Sequence, residues 1–291
     1  MPPRPRRSVL YMPGSNARAI AKARGLPADA IILDLEDSVA PDAKALAREQ
    51  VVAAVREGGF GARQVVIRVN GPQTPWGEDD LAAAIAAAPD AILLPKVDSA
   101  GAIMHAARAL REAGASASTR LWAMMETPLA ILNAESIAAA ADPASRLEAL
   151  VMGLNDLAKE TRARLTPGRP AMTAWMATCV AAARAHGCDV IDGVYNDLTN
   201  ADGFIAECEQ GRDMGFDGKT LIHPGQIEIC NAVFSPEAHE IDHARAIIAA
   251  FAAPENYGKG FVQLNGRMVE RLHAEMAQRT LAIVAGIARR G

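Results

Sequence analysis

Aromatic side chains are scarce in this sequence: Phe, Trp and Tyr together make up 4% of 291 residues. A large core is still available, because 50% of the residues are apolar. It must be built from Ala, Val, Ile, Leu and Met. An excess of charge of one sign is also missing. Thirty Lys and Arg stand against 34 Asp and Glu, a net charge of −4, so bulk electrostatics give no reason to expect a nucleic-acid partner. The densest basic cluster, Arg4, Arg6 and Arg7, reads as a solvated tail. No apolar run reaches the ~18 residues that span a bilayer. No apolar stretch follows the basic N-terminus as a secretory signal would require. A cytoplasmic protein with no membrane partner is therefore expected. The four cysteines, Cys179, Cys188, Cys208 and Cys230, form neither a CxxC pair nor a zinc-finger spacing. They are expected to be buried or half-exposed reduced thiols. A His-based zinc centre is not expected.

What is present is an alternation. Eight short apolar runs, Ser8–Met12, Ala30–Leu35, Gln64–Val69, Ala91–Lys96, Leu121–Met125, Leu150–Met152, Val190–Val194 and Lys219–Ile222, are separated by Ala-rich helical stretches such as Ala43–Glu57, Leu129–Ala140 and Ala201–Met214. The runs are continuously apolar rather than alternating, as parallel strands covered on both faces should be. Eight β/α units in series predict an α/β fold, a (β/α)8 TIM barrel over residues 1–235. The runner-up is an open doubly wound sheet, but no GxGxxG opens the first helix. Residues 236–291 read as a C-terminal helical extension or lid. It has two helical stretches, Pro236–Ala253 and Arg267–Arg289, around a turn-rich Pro254–Leu264. That segment belongs to the same domain or is swapped to a neighbouring subunit.

In such a barrel, chemistry sits where the strands end. Strand one ends near Tyr11, and strand two in Asp34, Glu36 and Asp37. Strand three ends in Arg68 and strand four in Lys96. Strand five ends in Glu126, strand six in Asp156, and strand seven carries Asp192, Tyr195 and Asn196. Carboxylates in a barrel mouth are costly unless they are paired or bind a metal. Glu126 and Asp156 end adjacent strands, and two hard oxygen ligands with open positions suit Mg2+. The fork of Arg68 suits a substrate carboxylate or a developing enolate oxygen.

Eight stretches in order, RSVLYMPGSN, ILDLEDSVAPDAK, VIRVNG, ILLPKVDSA, METPLAILNA, GLNDLAKE, IDGVYND and GFDGKTLIHPGQI, resemble the citrate lyase β-subunit/malyl-CoA lyase family, within the HpcH/HpaI aldolase/citrate lyase superfamily. The resemblance covers nearly the whole chain. It implies Mg2+ (Mn2+ possible) on Glu126 and Asp156, and Arg68 on the acid substrate and its enolate. It implies Tyr11 and Arg18 on a CoA thioester and backbone at Thr220 and Leu221 lining the same pocket, and the Glu36-Asp37 pair, matching the family's LED motif, as support around the site. GKGFVQLNGRMVE resembles the family's lid, which supplies an acid/base to a neighbouring subunit. Glu270 stands at that position where the CoA-lyase members carry Asp.

The reaction so implied is carbon–carbon cleavage, or formation, of a 3-hydroxyacyl-CoA such as malyl-CoA or citramalyl-CoA, giving a 2-oxo acid and an acyl-CoA. Arg68 and Glu270 are the expected catalytic residues. Two alternatives stand beside it: a malyl-CoA thioesterase, and a citryl lyase subunit that works with an acyl-carrier protein. The resemblance also implies a homo-oligomer, a trimer or hexamer.

Overall fold

The computed structural model describes residues 4–289. Eight strands, β1 (Ser8–Pro13), β2 (Ala30–Asp34), β3 (Gln64–Arg68), β4 (Ala91–Leu94), β5 (Arg120–Met125), β6 (Leu147–Met152), β7 (Asp189–Asp192) and β8 (Gly218–Leu221), pair in parallel in sequence order. β8 returns to β1 with Val9 opposite Thr220, so the sheet closes. The expected (β/α)8 barrel is therefore present, and the open-sheet alternative falls. Helices α1 (Ala17–Ala23), α2 (Lys44–Glu57), α3 (Gly77–Ala87), α4 (Ala100–Glu112), α5 (Pro128–Leu132), α6 (Ala134–Ala138), α7 (Leu154–Thr161), α8 (Thr173–Ala185), α9 (Ala201–Met214) and α10 (Ile227–Val233) form the outer layer.

Aliphatic residues fill the barrel: Val9, Ala30, Ile32, Val66, Ala91, Leu93, Ala149, Val151 and Ile191 surround Trp122 and Met124. This answers the shortage of aromatics. One buried indole at the lower layer does what several Phe would do elsewhere.

Arg4 is exposed, but Arg6 and Arg7 are not part of the solvated tail expected. Arg6 is 4% exposed and plugs the N-terminal end of the barrel. Its Nε donates to Gln64 Oε1 at 2.9 Å. Its Nη2 lies 2.7 Å from Glu148, and its Nη1 pairs with Asp189. The guanidinium rests 5.2 Å from the Trp122 ring centroid, and Trp122 Nε1 donates to the same Glu148 at 3.1 Å. Arg7 clasps both oxygens of Asp29 at 2.9 Å. Strand-opening carboxylates needed cations, and the two arginines beside β1 were within reach.

Other boundaries moved for local reasons. The helix read over 129–140 is two short ones, broken at Asn133, whose Nδ2 donates to Asp98 O at 2.8 Å. β4 stops at Leu94, because Lys96 adopts a left-handed φ of 47° that no strand tolerates. All four cysteines are free and buried. Among the described residues no helix is long and apolar enough to cross a membrane.

The chain divides into two compact units. One is the barrel, Arg6–Ala232; the other comprises residues 233–289 with 4 and 5. In the second unit, α11 (Ala238–Ala252) and α12 (Arg271–Ala288) share a core with a hairpin of β9 (Phe261–Leu264) and β10 (Arg267–Glu270). Ala244, Ile247, Val262, Val269 and Ala277 are its buried members. The hairpin corrects the helix expected from residue 267. Asn265 and Gly266 take φ of 50° and 76°, the two-residue turn that Asn-Gly favours between antiparallel strands.

Replacing Arg6 with Ala strands Glu148 and Asp189 beside an apolar ring. Both carboxylates are about 30% exposed, so the loss should sit below the 3–5 kcal/mol of a fully buried pair, at about 2 kcal/mol. Denaturant unfolding reads it directly; an unchanged midpoint would restore the solvated-tail reading.

Candidate active site

Alternation along each strand decides which side chains enter the barrel. Val9, Ile32, Val66 and Met124 point inward. Two residues further on, the same parity brings Tyr11, Asp34, Arg68 and Glu126 into the layer at the C-terminal mouth. Asp192 has the opposite parity to inward Ile191 and does not join them. It faces the helices, fully buried. There Lys219 donates to it at 2.8 Å and Arg169 at 2.7 Å. The gathering of Asp192 into the mouth, expected from the sequence, is thus corrected by one residue of pleat. Tyr195 and Asn196 lie in the loop beyond, with Asn196 bonded to Asn155 at 2.8 Å.

Arg68 organises one side of the mouth. Its Nε and Nη2 grip the two oxygens of Asp34 at 2.6 and 2.7 Å. Its Nη1 lies 2.8 Å from Glu36 and 3.2 Å from Asp37. Its planar face covers the Tyr11 ring, with 4.9 Å to the centroid. Burial alone would raise the Asp34 carboxyl, but the Arg68 charge and hydrogen bonds outweigh it and hold it below its usual value. Glu36 goes the other way: burial and the nearby Asp37 and Asp34 raise it against the pull of Arg68 and Lys96. Asp34 fills the Nε/Nη2 fork of Arg68 in this structure, which narrows what Arg68 can offer a substrate. Of the five N–H donors of a guanidinium, the second Nη2 hydrogen remains for a ligand. Lys44 anchors the β2–α2 loop behind this group. Its buried Nζ donates to Leu35 O, Glu36 O and Asn70 Oδ1 at 2.8, 2.7 and 2.8 Å. The Trp76 ring lies 5.2 Å from the same Nζ, so it packs the loop.

The other side of the mouth is the Glu126 group. Glu126 is 1% exposed. Its Oε1 accepts the Lys96 backbone N–H at 2.7 Å, while its buried Oε2 has no hydrogen-bond partner. Lys96 Nζ stands 3.4 Å from Glu36, 3.9 Å from Glu126 and 3.5 Å from Asp156. Burial lowers the Lys96 ammonium, and Glu126, Glu36 and Asp156 more than reverse that. Asp156 sits in the first turn of α7, where the helix N-terminus favours a carboxylate. Gly153, which caps α7, is required: a Cβ there would stand 2.4 Å from Glu126 Cβ and 2.6 Å from its Oε2. Sequence reading passed over this glycine, although its place directly after a strand and before a helix was the signal. A cleft of about 370 Å³ opens beside the group, lined by Gln73, Lys96, Asp98, Thr127, Leu129 and Glu160.

The donor set fits a hard divalent cation. Two carboxylates, one directly after β5 with an oxygen left unpaired and one in the first turn of α7 after β6, match the way Mg2+ is held, with solvent and substrate filling the other positions. Among the described residues no group of three or more His, Cys, Asp or Glu forms a closed cage. An HExxH string does occur, at His239–His243, which the sequence reading missed. Both histidines are exposed at the start of α11 and belong to no such group.

The remaining expected residues lie as follows. Arg18 is exposed on α1. Thr220 and Leu221 end β8, buried, and Thr220 Oγ1 donates to Asp192 O at 2.9 Å. Asp37 is largely exposed beside Arg68. Glu270 belongs to the second unit, as the N-cap of α12, with its backbone N–H donating to His273 Nδ1 at 3.0 Å.

A closed (β/α)8 barrel with buried, partly unpaired carboxylates at the ends of its strands is built as an enzyme. The HpcH/HpaI aldolase/citrate lyase family model matches residues 7–224, and this chain belongs to that family. It is 50% identical over 284 residues, 98% of this chain and 96% of the relative, to a (3S)-malyl-CoA thioesterase of Cereibacter sphaeroides. It is 36% identical to the citrate lyase subunit beta of Escherichia coli, over 92% of this chain and 89% of that one. Among solved structures, CitE from Mycobacterium tuberculosis in complex with magnesium, acetoacetate and coenzyme A superposes with a TM-score of 0.76. That match has 26% identity and covers 97% of this chain and 98% of that one.

Burial pushes the Glu126 carboxyl up to about 7, with Glu36 adding to the rise and Lys96 opposing it. An unfolded Glu titrates near about 4.3. A folded value above the unfolded one means that stability is fully present at low pH and lost as pH rises between the two. In EDTA, the wild type should therefore gain about 2 kcal/mol relative to Glu126→Gln when pH falls from about 8 to about 5.5. Denaturant unfolding at both pH values tests this, and parallel pH profiles would contradict it.

Proposed function

We propose that this chain acts on a 3-hydroxyacyl-CoA ester of the malyl type, with Mg2+ or Mn2+ held by Glu126 and Asp156. The observation that carries the reading is the Glu126 carboxylate: buried, oriented by the Lys96 backbone, cradled by Gly153, and left with one oxygen unpaired. The likeness to CitE with magnesium and coenzyme A supports it. The cation supplies Lewis-acid polarisation of a substrate oxygen and a lowered hydroxyl pKa.

The chain's own residues do the rest. The free Nη2 hydrogen of Arg68, whose guanidinium stacks on the Tyr11 ring, meets negative charge developing on the substrate. Burial holds the Tyr11 hydroxyl well above its ordinary value, so it stays protonated and able to donate. Glu36 and Asp37 hold Arg68 in place. Arg18 and the backbone at Thr220 and Leu221 are the CoA contacts in this reading.

We put hydrolysis first. Water oxygen adds to the thioester carbonyl carbon, the C–S bond breaks, and the CoA sulfur leaves with the proton, giving a hydroxy acid and CoA. The support is the 50% identity to a (3S)-malyl-CoA thioesterase across nearly the whole chain, against 36% to a citrate lyase subunit. Carbon–carbon cleavage is the second reading, favoured by the Arg68 position, which suits an enolate oxygen equally well. There a base takes the hydroxyl proton, the C–C bond breaks with its electron pair passing to the enolate and leaves a 2-oxo acid, and an acid must protonate the enolate carbon. Glu270 of a neighbouring chain in a trimer or hexamer is the candidate for that acid.

Incubation with (3S)-malyl-CoA, with Mg2+ and with EDTA, separates the readings. Cation-dependent free CoA and malate support hydrolysis; acetyl-CoA and glyoxylate support the lyase. Glu126→Gln and Asp156→Asn should each lower turnover on the order of 100-fold or more with unchanged circular dichroism. Glu270→Gln should remove any C–C cleavage and spare hydrolysis. Turnover only with an acyl-carrier ester would point to the carrier-dependent subunit, and full activity in EDTA would end the cation assignment.

A further inference from the structure

Lys96 belongs to the mouth by position, yet the reaction above gives its ammonium no task. Three observations single it out. Its backbone takes a left-handed φ of 47°, a conformation rare for a residue with a Cβ and one that clusters at functional sites. In that conformation the N–H meets Glu126 Oε1 at 2.7 Å. Its Nζ faces three carboxylates carried by the ends of three strands, Glu36, Glu126 and Asp156, at 3.4, 3.9 and 3.5 Å. Each separation exceeds the ~2.8 Å of a committed charge-assisted hydrogen bond. The ammonium is therefore shared among the anions rather than bound to one. The side chain is 30% exposed and lines the cleft of about 370 Å³, so it has a way out.

We propose that Lys96 is the resident counter-ion of this acidic mouth, and that its ammonium and a divalent cation compete for the same carboxylates, Nζ turning into the cleft as the cation enters. The proposal rests on the cation site assigned to Glu126 and Asp156. A dication and an ammonium a few ångströms apart repel strongly at the dielectric of a protein surface, so the two do not share the same oxygens. Without either, neighbouring carboxylates would repel one another. Lys96 offsets their negative charge and holds them in place, at the expense of a weaker cation site.

The test is calorimetric titration of Mn2+ at pH about 8 into the wild type, Lys96→Met and Glu126→Gln. Lys96→Met should bind Mn2+ at least about tenfold tighter than the wild type, and Glu126→Gln at least about tenfold weaker. Equal or weaker binding by Lys96→Met, with Glu126→Gln still weakened, overturns the counter-ion role and leaves the cation site standing. Undiminished binding by Glu126→Gln removes the cation site and this proposal with it. A second measurement uses the wild type alone and decides the matter if Lys96→Met does not fold. Brief acylation read by peptide mass spectrometry should show Lys96 more reactive with Mn2+ than with EDTA, with exposed Lys22 unchanged. Unchanged reactivity at Lys96 overturns the proposal.

Discussion

Three carboxylates, Asp34, Glu36 and Glu126, enter the barrel mouth with 8% exposure or less, and the geometry of the site depends on the cations that meet them. Burying such groups is tolerable only where charge is balanced and oxygens are bonded. Arg68 balances Asp34 completely, through a fork that leaves neither oxygen free. It balances Glu36 in part, and Lys96 shares the remainder with Glu126 and Asp156. The compensation is therefore uneven by construction. The Asp34 side is saturated and fixed; the Glu126 side is under-coordinated and able to accept a further cation.

That asymmetry is produced by the fold. Parallel pairing gives each strand the same pleat, so one parity rule turns Tyr11, Asp34, Arg68 and Glu126 inward at the C-terminal mouth. The same rule turns Asp192 outward, where Lys219 and Arg169 absorb it into a buried cluster that stitches β7 and β8 to the surrounding layer. At the opposite end, Arg6 repeats the arrangement with Gln64, Glu148 and Asp189 beneath Trp122. The mouth differs from both in having an anionic group served by one shared, partly exposed ammonium.

Much of this was legible in the sequence, and the limits are instructive. Continuous apolar runs alternating with Ala-rich helices carried the barrel, because a strand buried on both faces leaves that signature and no other. Strand ends carried Glu126, Asp156 and Arg68, since charged residues directly after such runs have to face the mouth or the helices. Which of the two they face was not legible for Asp192, because a single residue of strand register decides it. Nor was the partner of Arg68: that Asp34 would consume the fork depends on inter-strand distance. The β9–β10 hairpin was legible and missed. Asn265-Gly266 is a strong turn signal, but the helical pattern after residue 270 obscured the short strands before it. Arg6 was misread because charge composition says nothing about which strand openings lie beside the N-terminus.

The central claim is that the unpaired side of the mouth is a cation site shared by Glu126 and Asp156. Its most direct test is anomalous diffraction at the manganese edge from crystals of the protein grown with Mn2+. The account predicts one strong peak at coordination distance from both carboxylates, with Lys96 Nζ displaced toward the cleft. A barrel mouth without a peak, or a peak elsewhere with Glu126 and Asp156 still facing Lys96, would contradict it.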